Sequence, residues 1–329
     1  MKKVNSVYDL LKIVLSIMIV LIHTKILPNI LYPWLRIAVP LFFVMSSYFL
    51  FSKLNKENDT LKRKEIIKNF IWRNLKLYFM WFIILLPITL DIKNYYVNYN
   101  IIKGTIVLLR DFLFSSTFAA SWYIIALVIG SIIIYWCSNK ISNRLLLIIT
   151  VIIYFLVTLT STYEFSFLGD KLEYYYHLII VASYNSFLVG LIWIMIGKLL
   201  AEKKIIYRSK LNMIIMIISI VLLFLEWTLV KNIVGLVDKD CYFMLIPLVI
   251  TIFLLITNIK SIFFSQSLFL RKISTVMYVS HLSVIYVLTN YFVIDSRALI
   301  LLITIIIGIV LTIIIDYLSR WLNFLKYAY

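Results

Sequence analysis

Residues 7–51 read VYDLLKIVLSIMIVLIHTKILPNILYPWLRIAVPLFFVMSSYFLF, two apolar segments joined by a short proline-containing link. Each segment approaches twenty residues, the length an α-helix needs to cross the hydrocarbon core of a bilayer. The first carries Asp9, Lys12 and His23, and the second carries the run Pro40-Leu41-Phe42-Phe43-Val44-Met45-Ser46-Ser47-Tyr48-Phe49-Leu50. An ionisable group inside such a span is costly, so its presence asks for a functional explanation by default.

The same pattern recurs along the chain. Its 329 residues are 63% hydrophobic and 14% charged, with a mean hydropathy of +1.01. So many long apolar runs cannot share one soluble core, and the reading is an all-α, polytopic integral membrane protein. A β-barrel would show ten-residue alternating segments, and runs such as 145–159 and 300–315 have no period of two. Apolar runs between charged punctuation predict ten spans, at 7–26, 34–52, 72–90, 121–138, 144–160, 179–198, 211–230, 242–258, 273–293 and 297–318, forming one domain over 1–329.

Loop charge tests that count, because cytoplasmic loops carry an excess of Lys and Arg. With both termini cytoplasmic, 22 of the 32 basic residues fall on the inner side and nine on the outer, and Lys12 stands within the membrane. The net charge of +17 is therefore what membrane insertion alone produces, and nucleic acid is not an expected partner. Met1-Lys2-Lys3 before an apolar stretch imitates a signal peptide, but no small-x-small site follows before Lys25, so the stretch reads as a retained first helix. Cys137 and Cys241 fall on opposite sides of the membrane in this topology, which disfavours a disulfide. On the outer side, residues 101–114 predict an interfacial or re-entrant helix within the long segment 91–120, and residues 161–178 read as a second loop.

Within the first span, eleven residues separate Lys12 from His23, which places them about 20° from one another around a helix and about 16 Å apart along it. Ser16 and Asp9 lie within about 40° of the same line. One face thus carries Asp9, Lys12, Ser16 and His23, and it cannot face lipid. Lys12 sits towards the cytoplasm and His23 towards the exterior, too far apart for either Lys12 or Asp9 to charge or orient the imidazole directly. A histidine, with an ordinary pKa near 6.5, is suited to accept a proton at neutral pH. The plainer reading is a histidine that bonds across helices for packing.

Taken in order, these residues resemble the opening of the membrane-bound acyltransferase-3 family. That family begins with Asp-x-x-Arg, places a His eleven residues after the Arg, and continues with Pro-x-Phe-Phe-x-x-Ser-Gly-Phe/Tyr-Leu. Here Asp9, Lys12, His23 and the run from Pro40 to Leu50 occupy those places. Arg73-Asn74-Leu75-Lys76 stands where the family has Arg-x-x-Arg, Trp122-Tyr123-Ile124-Ile125-Ala126-Leu127 is similar to its Trp-Phe/Tyr-x-x-Ala-Leu segment, and Ser274 to His281 resembles its late Ser-x-x-x-Tyr-x-x-His. Lys12 and Lys76 replace arginines, which keeps the charge but removes the planar fork for bidentate contacts. Ser47 replaces a glycine.

The resemblance implies an O-acyltransferase of the bacterial cytoplasmic membrane. It would move an acyl group, usually acetyl from acetyl-CoA, onto a hydroxyl of a surface or capsular polysaccharide or its lipid-linked precursor. His23 would then be the general base, with Asp9, Lys12, Arg73 and Lys76 on the donor side. Ser46, Ser47 and Tyr48 are candidates for positioning or oxyanion stabilisation, although small residues also allow close helix packing. Tyr278 and His281 share a helical face and serve either the cavity or an interhelical bond. Trp122 and Tyr123, and His177 among Tyr174, Tyr175 and Tyr176, fit an aromatic belt or sugar stacking. Glu226 and Asp316 are further acids within spans, with no assigned partner. Three scattered histidines and two cysteines have no metal-ligand spacing. The alternative function is a transporter or flippase of a small polar or acyl-carrying substrate on the same fold, since the family fold also resembles the membrane half of membrane-bound serine racemases.

Overall fold

Backbone polar groups in lipid must be satisfied within the segment, which leaves an apolar chain little choice but helix. The computed structural model describes residues 6–89, 100–115, 122–179, 185–202, 208–235, 239–260 and 262–329, and among them there is no strand. In chain order the helices are α1 (Val7–Thr24), α2 (Ala38–Leu54), α3 (Thr60–Thr89), α4 (Ile101–Arg110), α5 (Trp122–Ser138), α6 (Asn143–Ser161), α7 (Phe167–Ile179), α8 (Phe187–Glu202), α9 (Ser209–Val234), α10 (Leu245–Thr257), α11 (Ser267–Asn290) and α12 (Arg297–Leu318).

Polar residues at the starts explain several boundaries. Asn100, Ser142 and Ser296 each accept a hydrogen bond from the backbone N–H three residues on, capping α4, α6 and α12. The segment Asn29–Leu54, together with α1, α6, α9, α11 and α12, is long and apolar enough to cross a membrane, and α5 and α10 are shorter apolar helices.

Three boundaries depart from the sequence expectation. The predicted span 72–90 is the second part of the 30-residue α3, whose first turns carry Lys62, Arg63, Lys64 and Lys68. The predicted span 273–293 begins earlier, at Ser267, so that Arg271 and Lys272 lie within α11 and not in a loop. In both cases charge ended the apolar run while the backbone continued as helix. The loop expected at 161–178 contains α7. The helix expected over 101–114 is present as α4 followed by a π-helical turn at Asp111–Ser115, with Ile102, Ile106, Leu109 and Leu113 exposed. Residues 91–99 and 116–120 of the outer segment 91–120 lie outside the described residues.

The chain forms two compact units. One comprises residues 1–27, 72–125 and 261–329, and the other residues 28–71 and 126–260. In the first, α1 packs lengthwise on α11. Ser6 Oγ accepts from Phe264 N at 3.2 Å, Ser267 Oγ donates to Asp9, Ser16 and Ser274 hydroxyls meet at 2.6 Å, and His23 faces His281. Residue numbers rise together along both helices, so the two run parallel, and Asp9, Ser16 and His23 meet Ser267, Ser274 and His281 at steps of seven. A seven-residue repeat keeps one seam facing its partner over several turns. Val20, Ile273 and Met277 fill the spaces between these polar pairs, joined by Ile13, Ile17 and residues of α12. Further along the chain, Trp81 Nε1 donates to Ala328 O at 2.9 Å, which holds the segment after α12 against α3.

The second unit is built around α2 and α8. A Cβ at Gly197 would stand 1.9 Å from Ser47 Oγ and 2.5 Å from Val44 O, so the two backbones approach as closely as a missing side chain allows. In the same unit Glu226 accepts from Phe243 N at 2.7 Å, Met244 N at 2.9 Å and Tyr163 OH at 3.0 Å, and so caps the start of α10 from α9. Burial, and then the Glu226 charge, raises the Tyr163 phenol above its usual pKa. Arg36 pairs with Asp240, and Lys239 with Glu164. Both cysteines are free thiols, and burial pushes the Cys241 thiol up.

Candidate active site

The first unit places most of the candidate residues along the α1–α11 seam. At one end the Asp9 carboxylate is fully buried and accepts from Arg271 Nε at 2.8 Å, Arg271 Nη2 at 3.1 Å and Ser267 Oγ at 2.5 Å. The arginine fork fits a carboxylate in this two-point geometry. Lys12, one turn further on, is within electrostatic reach of Arg271, Asp9 and Arg73. Arg73 in turn reaches Arg271 and Tyr123. Lys12 and Arg271 thus share the Asp9 carboxylate, and that carboxylate is committed to Arg271.

In the middle of the seam, Ser16 Oγ and Ser274 Oγ both reach the Lys12 carbonyl, at 2.9 and 2.8 Å, which fastens α11 to the backbone that carries Lys12. At the far end the His23 and His281 rings lie 5.1 Å apart between centroids and are tilted by 44°. His281 is fully buried, with Nδ1 2.6 Å from the Tyr278 carbonyl. A carbonyl only accepts, so Nδ1 carries the proton, and a neutral ring then presents a bare lone pair at Nε2. Among the described residues Nε2 has no hydrogen-bond partner. His23 itself is exposed. Tyr278 lies edge-on to Tyr123, 5.6 Å between centroids, so the Trp122-Tyr123 segment at the start of α5 meets the late histidine motif.

The remaining candidates are placed differently. Lys76 Nζ sits 4.3 Å over the Tyr327 ring. Ser46, Ser47 and Tyr48 belong to the second unit, where Ser47 is buried against Gly197 and donates to Phe43 O at 2.9 Å, and Tyr48 lies edge-on to Phe253. Helix packing is the role the surroundings of Ser47 support. The His177 side chain lies outside the described residues. Asp316 pairs with Lys272 and accepts from Tyr329 OH at 3.1 Å. Two site residues were not singled out from the sequence, Arg271 and Ser267. The available signal was the spacing, because Ser267, Ser274 and His281 repeat the seven-residue steps of Asp9, Ser16 and His23.

A polar face with cations at one end and imidazoles at the other is now placed on particular residues, in the order the motifs have in the sequence. The family model described as an acyltransferase domain, acyltransferase-3, matches residues 5–319. This chain belongs to the acyltransferase-3 family.

Membership agrees with the multi-pass membrane reading of its helices. The chain is also similar to an amino-acid racemase of Enterococcus faecalis, 29% identical over 146 residues, which cover 42% of this chain and 20% of the racemase. A serine/alanine racemase of Enterococcus gallinarum is 29% identical over 139 residues, 40% of this chain and 19% of that protein. The chain thus spans about a fifth of the length of these relatives. No solved structure matches it.

Proposed function

We propose that this acyltransferase transfers acetyl from acetyl-CoA to a hydroxyl of a surface or capsular polysaccharide, or of its lipid-linked precursor, in the bacterial cell membrane. The observation that carries the reading is the polarity of one seam. Lys12, Arg73 and Arg271 lie at one end, and His23 with His281 lies about 16 Å along α1 at the other. Coenzyme A has that form, an anionic head joined to its thioester by an extended arm. The cations suit the phosphates, and Asp9 holds Arg271 in orientation.

In this reading His23 takes the proton of the acceptor hydroxyl as the oxygen attacks the thioester carbonyl. The C–O bond forms, the C–S bond breaks, and the proton passes from the imidazole to the departing thiolate. Lys76, beside Tyr327, extends the positive surface of α3 towards the donor. Membrane lipid and the glycan acceptor are the partners this reaction requires. Replacing His23 by Ala, with expression verified, is expected to remove O-acetyl signals from the proton NMR spectrum of purified surface glycan. Unchanged acetylation would reject the assignment.

A second reading is transport of a small polar or acyl-carrying substrate. It draws on the matches to part of two much larger proteins that are named for racemisation and not for acyl transfer. Calorimetric titration of the purified protein with coenzyme A separates the two, since a transporter has no need to bind it.

A further inference from the structure

His281 combines three observations. Its ring is fully buried, its Nδ1–H is spent on the Tyr278 carbonyl at 2.6 Å, and its Nε2 lone pair has no partner among the described residues. A buried acceptor left unpaired is costly, so such an atom normally has a donor or a ligand to meet. The nearest ring across the seam is His23, with centroids 5.1 Å apart. Ring nitrogens lie about 1 Å from the centroid, so two that are turned towards each other at this separation stand about 3 Å apart, a hydrogen-bond distance. His23 is exposed and on the last turn of α1, and the bond to Tyr278 fixes His281.

We infer that His281 is a positioning residue for His23: its Nε2 accepts the N–H of the His23 imidazole, which sets the tautomer of His23 and leaves the opposite nitrogen as the basic one. The Tyr278 carbonyl, His281 and His23 then form a relay of fixed sense, in which each group determines which nitrogen of the next carries hydrogen. The consequence for catalysis rests on the acetyl-transfer reading. When His23 takes the proton of the acceptor hydroxyl it becomes an imidazolium, and its bond to His281 Nε2 becomes charge-assisted and stronger as that charge develops. No proton moves onto His281, and the proton on His23 leaves with the thiolate.

The test needs no acyl transfer. Diethyl pyrocarbonate acylates the unprotonated nitrogen of an imidazole, and at pH 8 an ordinary histidine is neutral. The full chain in detergent is modified at that pH, and the rate at His23 is followed by peptide mass spectrometry in wild type, His281→Leu, His281→Asn and His281→Gln. Glutamine places an amide oxygen near the position of Nε2. Asparagine reaches only the Nδ1 side, so it keeps a donor for Tyr278 and lacks the acceptor for His23. The His23 rate is expected to fall about five-fold in His281→Leu and His281→Asn, the worth of one net hydrogen bond, and to return in His281→Gln. Equal rates in all four proteins overturn the inference. So does a glutamine variant as slow as asparagine at a matched melting temperature, which would mark a packing role. If His281→Leu does not fold, the comparison of Asn with Gln decides. Loss of the acetyl-transfer reading would leave these rates unchanged, so the two failures are distinguishable.

Discussion

The Asp9 carboxylate is held by Arg271 from α11, at 2.8 and 3.1 Å, and not by Lys12 three residues along its own helix. The pair joins a fully buried acid to a base that retains partial exposure, so removing the acid leaves a cation that water can partly recover. Asp9→Asn is therefore expected to cost about 2–3 kcal/mol, somewhat less than the loss of a wholly buried pair. Thermal unfolding in detergent checks this, and a change below 0.5 kcal/mol would contradict it.

The cation cluster makes a prediction about ligand binding. Lys12→Gln removes a charge whose nearest carboxylate is already engaged, so coenzyme A should bind about ten-fold more weakly, equivalent to about 1.4 kcal/mol. Lys12→Arg should retain binding. The deficit in Lys12→Gln should narrow as salt is raised, because ionic strength screens the remaining attraction. Isothermal titration at two salt concentrations measures both effects.

Gly197 and Ser47 are coupled. A methyl at Gly197 would overlap Ser47 Oγ and Val44 O, and Gly197→Ala is expected to destabilise by about 1–3 kcal/mol. Ser47→Gly in the same chain removes one of the two obstructions and should restore part of the loss, whereas Ser47→Gly alone should not stabilise. The double-mutant cycle gives the coupling directly.

The Glu226 carboxylate takes two backbone N–H groups at the start of α10 as well as the Tyr163 hydroxyl. Glu226→Ala leaves those donors unpaired and should cost about 2–3 kcal/mol, with Glu226→Gln intermediate. Because the folded state raises the Tyr163 phenol, its contribution is complete below about pH 10, where the unfolded phenol is still protonated, and is lost as the pH rises beyond that. The stability difference between wild type and Tyr163→Phe should therefore shrink above pH 10. Unfolding followed at pH 8, 10 and 11 tests the sign.

The helical architecture was legible because lipid removes the alternatives to helix, and the face shared by Asp9, Lys12, Ser16 and His23 followed from rotation alone. What sequence could not supply was the partner of that face. Arg271 and Lys272 read as loop charge because an apolar run ends before them, yet the helix continues to Ser267 and turns Arg271 onto Asp9. The same limit applied to Glu226, which periodicity marks as an acid within an apolar helix but whose ligands are backbone groups with no sequence identity. Ser47 shows the reverse case. It stands where the family has glycine, and the close approach is made from the facing helix, at Gly197.

The matched steps of seven along α1 and α11 give the seam the character of a ruler. The separation between the cation cluster and the imidazoles is fixed by helical rise, about 1.5 Å per residue, and not by any side chain that could relax. Inserting a single residue between Asp9 and His23 would turn the later part of α1 by about 100° against its partner, taking His23 out of register with His281 while every functional side chain remained present. If the acetyl-transfer proposal holds, backbone register sets the donor length that the site accepts, because it is register that brings Ser267 opposite Asp9.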